Sequence, residues 1–320
     1  MKAAVMYQKG ELPQYVDFPE PVAQNEDELL VTVKAVAIKH FDKGTASGKH
    51  YSSEKPKEGG RVIGGDGVCL LEDGTRVYGL GVSGMLAEKA TIEKSRMVKL
   101  PAGVSDAEAA ALANAIMGAA MGLKFKADIQ PGDVVLINGA TGFTGRVAVQ
   151  IAKYYGAKKV IATGRNEQSL QELLALGADE IISVNQIDEA FLTQIKAIQP
   201  IDVIIDYLWG HTAELILKSL MGKGSFTHKT RFVSVGSMGG DLIQLSAANM
   251  RSVDLQLTGS GLGSWSKPQV RELLTDILPE MFQLAADGKL NVEIIEVKLA
   301  DIADLWNLDV PGGKRLVVTI

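Results

Sequence analysis

A single cysteine, Cys69, and four histidines are all the Cys and His ligands that this chain of 320 residues can offer a zinc ion. One cysteine excludes an internal disulfide and fits a reducing compartment, so a cytoplasmic protein is expected. A structural zinc takes about four Cys or His ligands and a catalytic one about three. His40, His50, His211 and His228 show no spacing of the C-x-x-C or H-x-x-x-H kind, and no metal site is expected. Long apolar runs are also missing: nothing approaches the roughly 18 residues of a membrane span. The apolar stretch at Met1–Tyr7 gives way to Gln8-Lys9-Gly10-Glu11, too soon for a signal peptide. A net charge of −5 gives no reason to expect nucleic acid or an acidic lipid surface as partner. There is no internal repeat and no low-complexity segment.

What is present is a soluble-enzyme composition, 46% hydrophobic and 22% charged, on a chain long enough for two domains. Its most telling stretch is Val134-Val135-Leu136-Ile137-Asn138-Gly139-Ala140-Thr141-Gly142-Phe143-Thr144-Gly145. It reads as a buried strand, a glycine-rich turn and the start of a helix over 146–155. Ala140, Gly142 and Gly145 occupy the three small-residue positions of a dinucleotide fingerprint. Such a turn brings backbone N–H groups at a helix N-terminus close to a pyrophosphate. Val147, Ile151 and Tyr154 form one stripe of the helix, and small Ala148 and Ala152 let it lie close to a sheet.

The next strand, 159–163, ends in Gly164-Arg165-Asn166. A chain that prefers NAD places a carboxylate there to hold the ribose hydroxyls. A carboxylate repels a 2′-phosphate, whereas the Arg165 guanidinium forms charge-assisted hydrogen bonds with one. NADPH is therefore the expected cofactor. Glu167 lies just beyond and reads as the start of the following helix.

The first hundred residues are rich in strands, at 2–7, 28–38, 62–71, 75–79 and 86–92, with a hairpin turn at Glu72-Asp73-Gly74-Thr75. Residues 39–60 read as a long polar loop. An Ala- and Met-rich helical stretch covers 105–123, with Ser105 as N-cap and Glu108 completing a capping box. From 129 strands and helices alternate: 134–138, 146–155, 159–163, 168–176, 180–184, 188–198, 202–206, 212–221, 231–235 and 254–258. That alternation predicts an α/β fold with a doubly wound parallel sheet. A single helix follows at 268–287, then strands at 292–298 and 315–319, which exceed one such sheet and send the C-terminus back to the first domain.

Taken in order, these segments resemble a known family: Gly64-Gly65-Asp66-Gly67, Gly74-Thr75-Arg76-Val77-Tyr78-Gly79, Gly84-Met85-Leu86-Ala87-Glu88, Leu100-Pro101, Pro131-Gly132-Asp133, the glycine turn, and Gly177-Ala178-Asp179. Over essentially the full chain it looks like a zinc-independent medium-chain dehydrogenase/reductase of the quinone oxidoreductase group. The resemblance implies a GroES-like catalytic domain from residues 1–115 and 285–320, and a Rossmann NADPH-binding domain from 116–284, with the cofactor in the cleft between them. It implies a homodimer paired through an edge strand at Leu255-Gln256-Leu257-Thr258, and hydride transfer to a quinone or an α,β-unsaturated carbonyl. The zinc-dependent branch has Gly-His-Glu where this chain has Gly64-Gly65-Asp66, and a ligating cysteine where this chain has Lys39, three residues before Asp42.

Hydride addition to a plain ketone builds a localised alkoxide that needs a metal or strong acid, whereas a conjugated acceptor spreads the charge and accepts weaker donors. Lys39, His40 and Asp42, placed near the nicotinamide by the resemblance, are the candidate catalytic residues. Lys39 or His40 is either the proton or hydrogen-bond donor to the enolate or a solvated loop residue. Asn114 breaks an alanine run and needs a partner if buried, either the cofactor or backbone. Tyr207 follows the strand 202–206, Gly236 and Ser237 follow 231–235, and Gly259 and Ser260 follow 254–258. All five would line the cofactor at the carboxyl edge of the sheet. Trp265 and Trp306 read as packing residues, and the lysines at 34, 39, 43, 49, 55 and 57 as a solvated face. Two other functions remain open: an enoyl-thioester reductase, and a NADPH-binding redox sensor with little catalysis.

Overall fold

The computed structural model describes residues 1–48, 59–310 and 312–320. The chain divides into two compact units, Met1–Ala113 with Leu274–Ile320, and Asn114–Leu273. His50 and the lysines at 49, 55 and 57 lie outside the described residues.

The first unit opens with β1 (Lys2–Met6), β2 (Gln14–Asp17) and β3 (Glu28–Ile38). β2 carries mostly exposed side chains, which is why no apolar alternation announces it. Instead of a loop, the residues after β3 form helix α1 (His40–Ser47), which ends at Gly48 in the left-handed conformation. Its sequence hides it, because the face turned inward is Asp42 and Ala46 rather than an apolar stripe. The expected strand 62–71 is two, β4 (Arg61–Val62) and β5 (Asp66–Leu70), separated at Gly64, whose φ of 90° suits only glycine. The Glu72–Thr75 turn joins β5 to β6 (Arg76–Gly81), and β7 (Lys89–Lys99) is longer and later than expected. The chain returns with β14 (Ile294–Lys298) and β15 (Arg315–Thr319).

Six strands run in the order β14-β15-β3-β5-β6-β7, and β7 also pairs back onto β3. Strands β3, β5, β6 and β7 thereby close on themselves around a core that includes Val33, Val36, Val77, Met85 and Ile92. β1, flanked by β2 and β4, forms a separate three-stranded sheet.

Helix α2 (Asp106–Met121) carries the chain from the first unit into the second. The Glu108 N–H donates to Ser105 Oγ at 3.1 Å while the Ser105 N–H donates to Glu108 Oε2 at 3.1 Å, the reciprocal cap that the sequence predicts. Then follow β8 (Val134–Asn138), α3 (Phe143–Tyr154), β9 (Lys159–Gly164), α4 (Glu167–Ala175), β10 (Glu180–Ser183), α5 (Asp188–Ala197), β11 (Val203–Asp206), α6 (Gly210–Ser219), β12 (Thr230–Ser234), α7 (Ala247–Ser252) and β13 (Leu255–Gly259). The sheet order is β10-β9-β8-β11-β12-β13 and every pairing is parallel, a Rossmann-type sheet. Ala148 and Ala152 of α3 are fully buried, as their size requires, but Tyr154 is 48% exposed and does not share the stripe of Val147 and Ile151.

The final long helix is not continuous. α8 (Lys267–Glu272) passes through a π-turn at Leu273–Ile277 into α9 (Leu278–Ala286), and the boundary between the units falls at this turn. α9 ends before Gly288, which takes a φ of 69°. A short helix, α10 (Ile302–Leu305), precedes β15, and Trp306 after it is buried in the core of the first unit. Among the described residues, no helix is long and apolar enough to cross a membrane.

Candidate functional site

In the second unit the parallel register puts the last residues of the strands level with one another. Asn138 pairs with Asp206, Asp206 with Ser234, and Ser234 with Gly259. Every residue expected to hold a dinucleotide follows one of these strand ends, except Asn114, which lies on α2.

The turn after β8 is shaped by what its glycines exclude. A Cβ on Gly145 would stand 2.5 Å from the Gly139 carbonyl oxygen and 2.6 Å from Ala140 Cα, so only glycine lets α3 pack on the turn. Gly142 is the N-cap of α3, and with no side chain it cannot cap the first helical turn. It is exposed and no acidic residue lies in that first turn, so the end of α3 keeps its positive dipole and space for an anion. Ala140 and Phe143 are buried, while Thr141 and Thr144 are half-buried. A Cβ on Gly164, at the end of β9, would stand 2.3 Å from Thr141 Cγ2, so the strand end and the turn are in direct contact.

Arg165, just past that strand end, is exposed, and its neighbour Asn166 caps α4 by accepting the Ser169 N–H at 2.8 Å. Tyr207 is buried, and its hydroxyl donates to the Gly118 carbonyl of α2 at 3.2 Å; burial raises its pKa. Gly236 sits against it, where a Cβ would come within 2.7 Å of the Tyr207 carbonyl oxygen. Ser237 and Gly259 are exposed. Ser260 is buried, and its Oγ accepts the Trp265 indole N–H at 3.1 Å, which makes Trp265 a packing residue with a fixed partner. Asn114 is half-buried, and its amide makes no hydrogen bond among the described residues.

The residues of this unit therefore fit a dinucleotide: a turn packed tightly on its helix at Gly145, an uncapped helix end at Gly142, and a cation just past the end of the neighbouring strand.

The expected catalytic residues belong to the first unit, and they separate sharply. Lys39 is only 1% exposed, so it is no part of a solvated lysine face. Its Nζ lies 2.6 Å from Asp66 Oδ1, 3.2 Å from Asp42 Oδ2 and 3.2 Å from the Ala37 carbonyl oxygen, which uses all three ammonium donors. Asp42 also accepts the Lys39 N–H at 2.9 Å, and the Tyr78 hydroxyl donates to Asp66 at 2.9 Å. Burial pushes the Lys39 pKa down, but Asp42 and Asp66 more than reverse it, and it ends above the ordinary lysine value. Burial raises the Asp42 carboxyl against the pull of Lys39. Burial lowers the pKa of Arg315, from β15, to about 10, against the upward pull of the same two aspartates.

His40, the next residue, is exposed at the start of α1. Partial enclosure lowers its pKa, and the positive charges of Arg315 and Lys43 lower it further. Asp66, Tyr78 and Arg315 carried no signal in the sequence as partners of Lys39. Asp66 stands 27 positions away and Arg315 near the other end of the chain, and only the pairing of β15 and β5 on β3 unites them. Among the described residues, no group of three or more His, Cys, Asp or Glu is placed to hold a metal ion.

Comparison with known proteins agrees with this architecture. A family model described as zinc-binding dehydrogenase matches residues 144–278. A mycocerosic acid synthase-like polyketide synthase of Mycobacterium tuberculosis is 30% identical over 278 residues, or 82% of this chain, which spans only 12% of that protein's length. A quinone oxidoreductase-like protein 2 homolog of Nematostella vectensis is 28% identical over 276 residues, covering 82% of this chain and 72% of the relative. Among solved structures, the quinone oxidoreductase of Thermus thermophilus, determined also in complex with NADPH, matches all of both chains with a TM-score of 0.80 and 27% identity. Over its whole length the chain is thus similar in fold to the quinone oxidoreductases, of the medium-chain dehydrogenase/reductase kind, and its residues 144–278 match the zinc-binding dehydrogenase family.

Proposed function

We propose that the protein reduces quinones or α,β-unsaturated carbonyls with NADPH, without zinc, and that residues Asn114–Leu273 form its cofactor-binding unit. The observation that carries this reading is the pairing of an uncapped helix end at Gly142 with a solvent-facing guanidinium at Arg165, one strand away. The first suits a pyrophosphate and the second a 2′-phosphate. The bound nicotinamide would supply the hydride. The protein's own part is to fix the cofactor's orientation and to offer a donor to the charge that develops on the acceptor.

Of the three candidate catalytic residues, His40 is the one with a free donor. Its lowered pKa keeps the imidazole neutral near pH 7, so it donates an N–H rather than carrying a charge. A neutral donor is sufficient where conjugation spreads the negative charge. Lys39 and Asp42 hold the start of α1, and so His40, in place. The free edge of β13 is the surface through which two copies would pair.

Arg165→Ala tests the cofactor assignment. NADPH binding should weaken by about 1.5–3 kcal/mol, the range for a hydrogen bond to a charged group, while NADH binding stays the same. Equal losses for both cofactors would remove Arg165 from the site. Oxidation of NADPH, followed by its absorbance with a quinone and enone panel, names the acceptor class. A second reading, an enoyl-thioester reductase, is favoured by the likeness to the mycobacterial polyketide synthase. Turnover of an enoyl thioester far above that of any quinone would select it. Tight NADPH binding with no turnover would instead select a redox sensor.

A further inference from the structure

Beneath the glycine turn lies a row of polar side chains in an otherwise apolar sheet. Thr163 is the penultimate residue of β9, Asn138 and Asp206 are the last of β8 and β11, the three strands are neighbours, and each of the three residues is fully buried. The Gly139 N–H donates to Thr163 Oγ1 at 3.3 Å, and that hydroxyl donates to Asn138 Oδ1 at 2.7 Å. Asn138 Nδ2 donates to Asp206 Oδ1 at 2.7 Å and to Thr212 Oγ1 of α6 at 3.1 Å. The Asp206 carboxylate also accepts the N–H groups of Leu208 and Trp209 at 3.0–3.1 Å. Its backbone carbonyl accepts those of Val235 and Gly236 at 2.8 and 3.2 Å.

Two features make this row unlike ordinary packing. Asp206 is a buried carboxylate with no Lys, Arg or His in ion-pair contact among the described residues, and such a group is costly unless hydrogen bonds satisfy it. Trp209, whose N–H it holds, has φ 56° and ψ −155°, a backbone region that is close to glycine-only. The carboxylate therefore holds one turn in a conformation it would otherwise leave. Through Asn138 and Thr163 the same row holds the first N–H of the glycine turn.

We propose that Thr163, Asn138 and Asp206 are positioning residues: one hydrogen-bonded row that locks the glycine turn and the 207–209 turn into a frame shaped for the dinucleotide before it binds. This rests on the dinucleotide reading of the site. A turn fixed in advance loses less conformational freedom on binding, and so binds more tightly with no added contact. The row ends on the glycine turn and, among the described residues, none of its hydrogen bonds involves Arg165, so it serves the parts that NADPH and NADH share.

Thr163→Val keeps the shape and removes the hydroxyl, and Thr163→Ser restores it. Dissociation constants for NADPH and NADH are measured by fluorescence well below each variant's unfolding midpoint, so that only folded protein is compared. Thr163→Val should weaken both cofactors alike, by about tenfold. Thr163→Ser should recover most of that loss. Hydrogen exchange of the peptide containing residues 139–145 should quicken in Thr163→Val and not in Thr163→Ser. A residue that served stability alone would lower the unfolding midpoint and leave the dissociation constants untouched, and that result would overturn the proposal. So would a loss confined to NADPH, or an equal loss in Thr163→Ser. If the parent protein bound neither cofactor, the dinucleotide reading itself would fall.

Discussion

Lys39→Met would delete one ammonium from the closed barrel and leave two carboxylates without their nearest cation. Methionine has about the length and bulk of the lysine stem, so the packing change is small and the electrostatic change dominates. Asp66 would lose a 2.6 Å partner and Asp42 a 3.2 Å one, and both are buried. Breaking a buried pair in this way costs about 3–5 kcal/mol, against about 0–1 for an exposed one. The loss must also depend on pH. Asp42 already titrates above the ordinary carboxylate value, and without Lys39 it is driven higher. Between the unfolded value near 3.8 and that raised value, the folded state binds more protons than the unfolded state. Stability of the variant therefore rises as pH falls through this window, and its deficit is largest above it. The assay is urea unfolding from about pH 8 to pH 5 in a Trp209→Phe, Trp265→Phe background, where Trp306 reports only the first unit. Adding Asp66→Asn should recover part of the loss, since one of the stranded charges is then gone. A deficit below about 1 kcal/mol, or one that does not change with pH, would refute the reasoning.

Gly145→Ala should destabilise the protein by about 1–3 kcal/mol and abolish tight cofactor binding, because its methyl meets only backbone atoms of the glycine turn; thermal unfolding and a NADPH titration check both effects. The Cys69 thiol is fully buried and burial pushes its pKa up to about 12, so it should resist an aromatic disulfide reagent in the folded protein and react only after unfolding in urea. A native protein that reacted promptly would contradict that burial.

The sequence is most readable where one element repeats a simple pattern. The strands 28–38, 134–138 and 315–319 have the bounds their apolar runs indicate, because each is buried enough to show in composition alone. The glycine turn is legible because its glycines are marked in the sequence, and at Gly145 the backbone leaves room for no side chain. α1 was not, because a helix that buries an aspartate and an alanine has no apolar period to detect. Nor was the π-turn at Leu273–Ile277, whose residues continue the helical pattern on both sides. Lys39 is the sharpest case. A lysine in a polar stretch reads as solvated or as a donor, and its burial depends on Asp66 and on strands brought together by long-range pairing. Thr163, Asn138 and Asp206 were visible singly, as polar residues ending apolar strands. Their alignment required the order of the strands.

The interruption of the first unit by the second sets a timetable for synthesis. β3 acquires its neighbour β15 only when Leu316 pairs with Ile38, about 280 positions later. At cellular rates of chain elongation that is a wait of roughly 15–60 s, and the whole sequence of the second unit is made before it ends. Through that interval Asp42 and Asp66 lack the nearby charge of Arg315, and the Ala35–Ile38 end of β3 stands open as an unpaired edge. β15 thus covers the end of β3 that β7 leaves unpaired. A nonsense codon just ahead of β15 would release a nascent chain whose second unit is finished and whose first unit keeps the end of β3 exposed, a sticky edge that quality control would recognise.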